Sequence, residues 1–335
     1  MKSSSATTEI LVTSTGNIVP FIEYCEKRMI DWRSIASECG IPIELMTHQQ
    51  WLPTRQLMMF LHGLEKKHGF RVAIDVGRQV TVEQLSSELA QKASQCTSFE
   101  ESIQCLVSEA NSLNNHITIW PEKIGHQWWL CHRGHSHPSA PGFEQAEWFR
   151  TLAIINYCRI FSGKQWSPHS IKMISTDKSA DKLPGNFRKS KIDFHQSFGA
   201  IAVQLPEQFQ PLQLQEIHPD WHNAVARLIK TYAALPRLNI QWFAQMLGVS
   251  GRTLQRNLNK QGVHFKAIKE GARLERAIDL LINTRLSVQD IAWRVGYSDL
   301  SNFNRAFKGW TRMTAPAYRK TKASSVLIKS NDSEA

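Results

Sequence analysis

The chain is poor in paired cysteines, in long apolar runs and, over its last hundred residues, in acidic side chains. Its six cysteines (Cys25, Cys39, Cys96, Cys105, Cys131, Cys158) are unevenly spaced, include no Cys-x-x-Cys pair, and all precede residue 236. A chain of 335 residues can build a core without staples, so these read as buried or reactive thiols in a reducing compartment. No stretch reaches eighteen apolar residues, which argues against a membrane-spanning helix. The opening MKSSSATTEILVTSTG is rich in Ser and Thr where a signal peptide needs an apolar core. A soluble cytoplasmic protein with no membrane partner is expected. Gly-rich phosphate loops, Gly-x-Ser-x-Gly elbows and Walker-type lysines are also missing, so the sequence calls for no catalytic residue, no enzyme activity and no cofactor.

The shortage of acid is local. Residues 236–335 hold 17 basic and 7 acidic side chains, a balance of +10 against +11 for the whole chain. The charge excess therefore marks this segment for a polyanionic partner such as nucleic acid.

Apolar spacing divides the chain. Residues 1–16 are polar and expected to be disordered. Residues 17–215 form an α+β (α/β) domain: helical to about residue 112, then two antiparallel strands, His116 to Trp120 and Gln127 to Cys131, separated by Pro121 and Gly125. A helix from Phe143 to Phe161 and strands at Ser170 to Ser175 and Ala200 to Leu205 follow. A connecting helix and linker cover 216–235, an all-α domain covers 236–322, and 323–335 is a flexible tail.

The all-α segment contains an internal repeat. LNIQWFAQMLGVS (Leu238 to Ser250) aligns without gaps to LSVQDIAWRVGYS (Leu286 to Ser298), 48 residues later. Ala244 and Ala292 are small where a second helix must cross closely. Gly248 and Gly296 suit the left-handed turn that ends the first helix, and Ser250 and Ser298 offer N-caps to the second. Leu254 and Leu258, then Phe303 and Phe307, anchor the second helices at i, i+4. The alanine-to-anchor distance is one residue longer in the second copy, which predicts a longer turn. Each copy has the pattern of a helix-turn-helix, and Phe265 to Asn283 reads as one linker helix about 28 Å long, close to the roughly 34 Å of one DNA turn.

The exposed faces of the second helices suit double-stranded DNA. Ser250, Arg252, Thr253, Gln255, Arg256 and Asn259 in the first copy, with Ser298, Ser301, Asn302, Asn304, Arg305 and Lys308 in the second, supply donors and acceptors for base edges and phosphates. Phosphate would repel Asp299, which is expected to cap its own helix.

These residues resemble the C-terminal domain of the AraC/XylS family of bacterial transcription regulators. The resemblance is carried by SGRTLQRNLNKQG (Ser250 to Gly262), RLERAIDLL (Arg273 to Leu281), SVQDIAWRVGYSDLSNFNRAFKGWT (Ser287 to Thr311) and Tyr318-Arg319. Two positions depart from the pattern: Arg312, where the family usually has glycine, and Pro316, one place later than usual. The preceding part is similar to the arabinose-binding-type N-terminal domain of the subclass that includes ornithine and arginine utilisation regulators. It is carried by the helix through Arg159 with Ser167-Pro168-His169, by His195 with Phe198-Gly199, and by Leu205-Pro206 with Pro211-Leu212. The resemblance implies a small-molecule effector or a homodimer for that part, and RNA polymerase as partner where the protein activates.

Outside this pattern, Cys131-His132-Arg133-Gly134-His135-Ser136-His137 packs four metal-capable side chains into seven residues, but no second cluster accompanies it. A histidine-rich loop without metal is expected. Trp128, Trp129 and Trp148 are candidates to line an effector cavity, with Arg150 or Arg159 meeting an acidic ligand; the alternative is that they are core. An architectural or RNA-binding protein using the same basic face, and an enzyme fused to a DNA-binding domain, remain open alternatives.

Overall fold

The computed structural model describes residues 9–45, 50–176, 190–212 and 220–321. These form two compact units, Met1–Ala224 and Val225–Ala335. Among the described residues no helix is long and apolar enough to cross a membrane.

The first unit runs β1 (Val12–Ser14), α1 (Val19–Lys27), α2 (Trp32–Glu38), β2 (Trp51–Pro53), α3 (Thr54–His68), α4 (Arg71–Gly77), α5 (Val82–Leu85), α6 (Ser87–Gln95) and α7 (Phe99–Leu113). It continues with β3 (Ile117–Ile124), β4 (Gln127–Gly134), α8 (Phe143–Ser162), β5 (Ser170–Lys172), β6 (Lys191–Asp193) and β7 (Gly199–Val203). Side-chain caps set several helix starts: Asp31 for α2, Ser86 for α6 and Ser98 for α7, each accepting from an amide three residues on. The main sheet has the order β3-β4-β7-β5-β6 and is antiparallel except for the β5–β6 pair. With helices gathered mostly ahead of the strands, the class is α+β. Helix α8 carries twelve buried residues, including Trp148, Leu152 and Tyr157, so it lies within the core and not along its edge.

Three sequence expectations need correction. Residues up to 16 are not all irregular, because Val12–Ser14 pair antiparallel with Trp51–Pro53, and the Val12 amide donates to Asn115 Oδ1 at 2.8 Å. Pro121 does not end its strand but sits within β3 opposite Leu130. Strand β3 is an edge, where an outward-facing position needs no amide donor. Strands β1, β2 and β6 have no counterpart in the sequence pattern. Each is three residues long, too short for an alternation to register.

The second unit is helical: most of α9 (Trp221–Tyr232), then α10 (Ile240–Met246), α11 (Gly251–Asn259), α12 (Phe265–Asn283), α13 (Val288–Arg294) and α14 (Leu300–Thr311), with a further helical run at 315–321. Pro316 falls in the first turn of that run, where a missing amide costs nothing. The expected tail from 323 onward lies outside the described residues.

Candidate nucleic-acid interface

The pairs α10–α11 and α13–α14 are built alike. Asn239 and Ser287 cap the first helices by accepting from Trp242 and Asp290 amides. Each first helix then ends the same way: Gly248 (φ +71°) and Gly296 (φ +88°) are left-handed. The next residue donates back to the repeat's alanine, Val249 N to Ala244 O at 3.0 Å and Tyr297 N to Ala292 O at 2.9 Å. This closure satisfies carbonyls that the helix end would leave open.

Ser250 caps α11, its hydroxyl accepting from Thr253 N at 3.1 Å. In the second pair the cap is Asp299, accepting from Asn302 N at 2.7 Å, and not Ser298. That shift by one residue is the extra length of the second turn. Phe243, Ala244, Leu254 and Leu258 are buried in the first pair, with the Phe243 and Phe265 rings 5.6 Å apart. Ile291, Ala292, Phe303 and Phe307 join Ala277, Leu280 and Leu281 of α12 in one cluster. Burial of each such anchor is worth about 2 kcal/mol.

With those faces turned inward, the polar faces lie outside. Ser250, Arg252, Arg256 and Asn259 are exposed, and Thr253 and Gln255 are half-buried. Gln255 donates to Asn259 Oδ1 at 2.8 Å, which sets the two amides side by side. On the other pair Ser298, Ser301, Asn302, Asn304, Arg305 and Lys308 are all exposed. Trp293, 54% exposed beside exposed Arg294, is a surface residue that sequence reasoning missed. The available signal was the repeat itself, which places Trp293 opposite polar Gln245 and therefore at a surface position.

Helix α12 is tied to the chain after α9 and to the second pair by residues that sequence reasoning passed over. Arg273 is buried, donating from Nε to Ala233 O at 2.9 Å and from Nη2 to Leu235 O at 3.4 Å. Its guanidinium lies 4.8 Å from the Tyr297 ring centroid. A Cβ on Gly296 would meet Ala234 O at 2.7 Å and Arg273 Nη2 at 2.8 Å, so only glycine fits there. Arg319 donates to Leu281 O at 3.0 Å and Leu286 O at 2.7 Å, bracing the far end of α12. The detectable signal for Arg273 was a charge on the stripe shared with Ala277, Leu280 and Leu281.

In the first unit a cavity of about 100 Å³ is lined mainly by apolar side chains from α3, α7 and α8, with Arg150 and His116 in its wall. Of the five residues proposed for an effector, Arg150 alone lines it. Trp128 and Trp148 belong to the main core. Trp129 packs with Cys131, Ala200 and Ala202 in a separate cluster, Lys172 lying 4.3 Å from its ring. Arg159 spends its donors on Trp166 O and Asn156 Oδ1.

Arg150 Nε donates to His132 Nδ1 at 3.0 Å. Nδ1 is thus unprotonated, and Nε2–H faces Thr151 Oγ1 at 3.1 Å. Burial, with Arg150's charge second, holds the His132 pKa well below its ordinary value. His116, 3.3 Å from both Thr54 Oγ1 and Val12 O, is pushed down to about 3 by burial first and Arg150 second. Burial likewise draws Arg150 below its usual value, opposed by Glu147.

The histidine-rich segment does not converge. His132 turns to Arg150, His135 Nδ1 lies 2.9 Å from His116 O, and His137 bonds to Ser139. Cys131 packs in its own cluster, burial pushing its thiol up to about 12. Among the described residues no three His, Cys, Asp or Glu side chains gather as a metal site. The six cysteines are free, and burial raises Cys25 to about 11 and Cys158 to about 12, leaving both as protonated core thiols.

Residues 243–321 match the family model described as a helix-turn-helix domain. An uncharacterized HTH-type transcriptional regulator of Mycobacterium tuberculosis is 39% identical over 74 residues, 22% of each chain. The ornithine utilization regulator of Pseudomonas aeruginosa is 34% identical over 82 residues, 24% of each. The chain thus spans about a quarter of the length of these curated relatives. The crystal structure of the transcriptional regulator CdpR from Pseudomonas aeruginosa covers 91% of this chain and 98% of its own at 17% identity and a TM-score of 0.41. The C-terminal part of this chain carries a helix-turn-helix domain of the AraC type, and the relatives it matches are AraC-family transcription regulators.

Proposed function

We propose that the chain is a sequence-specific DNA-binding transcription regulator controlled by a small molecule. In this reading residues 236–322 hold two helix-turn-helix units, α10–α11 and α13–α14, whose second helices enter successive major grooves of double-stranded DNA. The observation that carries it is the repeated cap, turn and anchor geometry, which leaves arginine, asparagine and glutamine exposed in the segment with a balance of +10. Arginine pairs with guanine O6 and N7, and Asn or Gln with adenine N6 and N7. Residues 17–215 act as the effector or dimerisation domain. Effector binding shifts the population between DNA-competent and incompetent states, and RNA polymerase is met where the protein activates.

The test is enrichment of random duplexes on the full chain, followed by competition at physiological salt. A selected duplex should outcompete random duplex by roughly 10³-fold or more. Equal competition would refute sequence-specific regulation and favour an architectural role.

A further inference from the structure

The cavity in the N-terminal unit has a charge imbalance. Its apolar wall is formed by Leu57, Met58, Leu61, Leu89, Leu106 and Phe149. Several neutral polar groups in the wall are engaged within the fold: Asn114 Oδ1 accepts from Ile117 N at 2.8 Å, Asn17 Nδ2 donates to Thr13 Oγ1 at 2.9 Å, His116 lies against Val12 O and Thr54, and Tyr157 donates to Ser102 O at 2.7 Å. Arg150 is different. Only its Nε is engaged, by His132 Nδ1, and among the described residues no carboxylate stands within ion-pair distance of it.

Glu147, one turn earlier on α8, would be the natural counter-ion. Its oxygens instead accept from Ile174 N at 2.7 Å, Ser175 N at 2.9 Å and the Ser175 hydroxyl. Arg150, half-buried, lines this apolar space, and among the described residues no anion receives its Nη donors. Leaving a charge in such surroundings is costly, and a planar carboxylate answers it with two parallel hydrogen bonds. The space of about 100 Å³ is several times the roughly 10–15 Å³ needed to hold one water, so it admits a small organic molecule.

We infer that this cavity binds a small apolar monocarboxylate, its carboxylate paired with Arg150 and its hydrocarbon lying against Leu61, Leu106 and Phe149. The inference deepens the effector assignment and depends on it only for the regulatory consequence. Long-chain lipids exceed the space, and polar amino acids or sugars would leave their own hydrogen bonds unmet against its apolar wall.

Calorimetric titration of the full chain with octanoate, octan-1-ol and palmitate tests it. Octanoate should bind at least tenfold more tightly than octan-1-ol, with palmitate weaker than octanoate. Arg150→Met should erase the preference for octanoate over the alcohol, and Leu61→Trp, which fills the space, should abolish binding of both. Equal affinity of octanoate and octan-1-ol for the wild-type chain, or no binding of octanoate, overturns the proposal. If Arg150→Met does not fold, the wild-type comparison decides alone. The same samples in a DNA retardation assay separate the two assignments. Octanoate binding with unchanged DNA affinity upholds the ligand class and removes the effector role.

Discussion

Lowering the pH from 7.5 to 5.0 should destabilise the N-terminal unit through histidines that its core holds neutral. His116 is buried against Val12 O and Thr54, with Arg150 and His135 as the charged or titratable groups facing it. Its folded pKa of about 3 lies below the unfolded value of roughly 6.5. A depressed folded pKa contributes stability above the unfolded pKa, and that contribution is lost as pH falls toward the folded one. At pH 5 the unfolded chain gains about RT ln(1 + 10^1.5), or about 2 kcal/mol, from protonating this one side chain. His132 is shifted the same way and steepens the loss. Eight of the eleven tryptophans precede residue 224, so urea unfolding followed by tryptophan fluorescence reports chiefly on this unit. His116→Asn retains a donor toward Val12 O and removes the titration. Its stability should therefore fall about 2 kcal/mol less than the wild type's between the two pH values, whatever its starting point. Identical pH slopes for variant and wild type would refute the buried-neutral assignment.

Other perturbations test the C-terminal unit. Arg252→Ala and Arg305→Ala should each weaken binding to a selected duplex by about 1 to 3 kcal/mol in a retardation assay, with relaxed preference at one base pair; equal weakening on random duplex would assign the side chain to phosphate. Gly248→Ala and Gly296→Ala occupy matching turns but should differ. A Cβ on Gly248 would have no atom within 4 Å, whereas one on Gly296 meets Ala234 O and Arg273, so the first should cost about 1 kcal/mol and the second about 2 to 4. Similar urea midpoints for the two variants would contradict the packing at Gly296. Arg312 is left-handed at φ +62°, so Arg312→Gly should stabilise the unit by about 1 kcal/mol, read as a higher melting temperature; no gain would contradict the left-handed cap.

The C-terminal unit was legible because its determinants are local. Ala, Gly and cap residues at fixed spacing specify each turn, and α12 has the span Phe265–Asn283 that its apolar stripe predicts. The departure at Arg312 has the same origin: the position is the left-handed cap of α14, where glycine is the unstrained choice. The N-terminal unit was less legible because its pairings are distant. Strand β1 depends on β2 some forty residues away and on Asn115. The cavity wall runs from Thr13 to Tyr157, a set that no periodicity groups together. Tryptophan content pointed to a large apolar interior without distinguishing core from cavity, and only Arg150 of the named candidates faces the space.

The same contrast explains why the two halves of the repeat diverge. A turn needs only a left-handed residue and a returning hydrogen bond, and both copies supply these. The second copy must in addition accept Arg273, whose guanidinium joins the Ala233 and Leu235 carbonyls to the face of Tyr297. Removing that arginine would leave the Ala233 carbonyl short of a donor, at about 1 to 3 kcal/mol, while Leu235 O keeps the Leu238 amide at 3.1 Å. Helix α12 is thus held at three levels: Phe265 against Phe243, Arg273 in its middle, and Arg319 on the Leu281 carbonyl. A helix of its length keeps a fixed spacing between the structures at its ends only if each end is clamped. These contacts, and not helix propensity alone, hold α12 in place at both its ends.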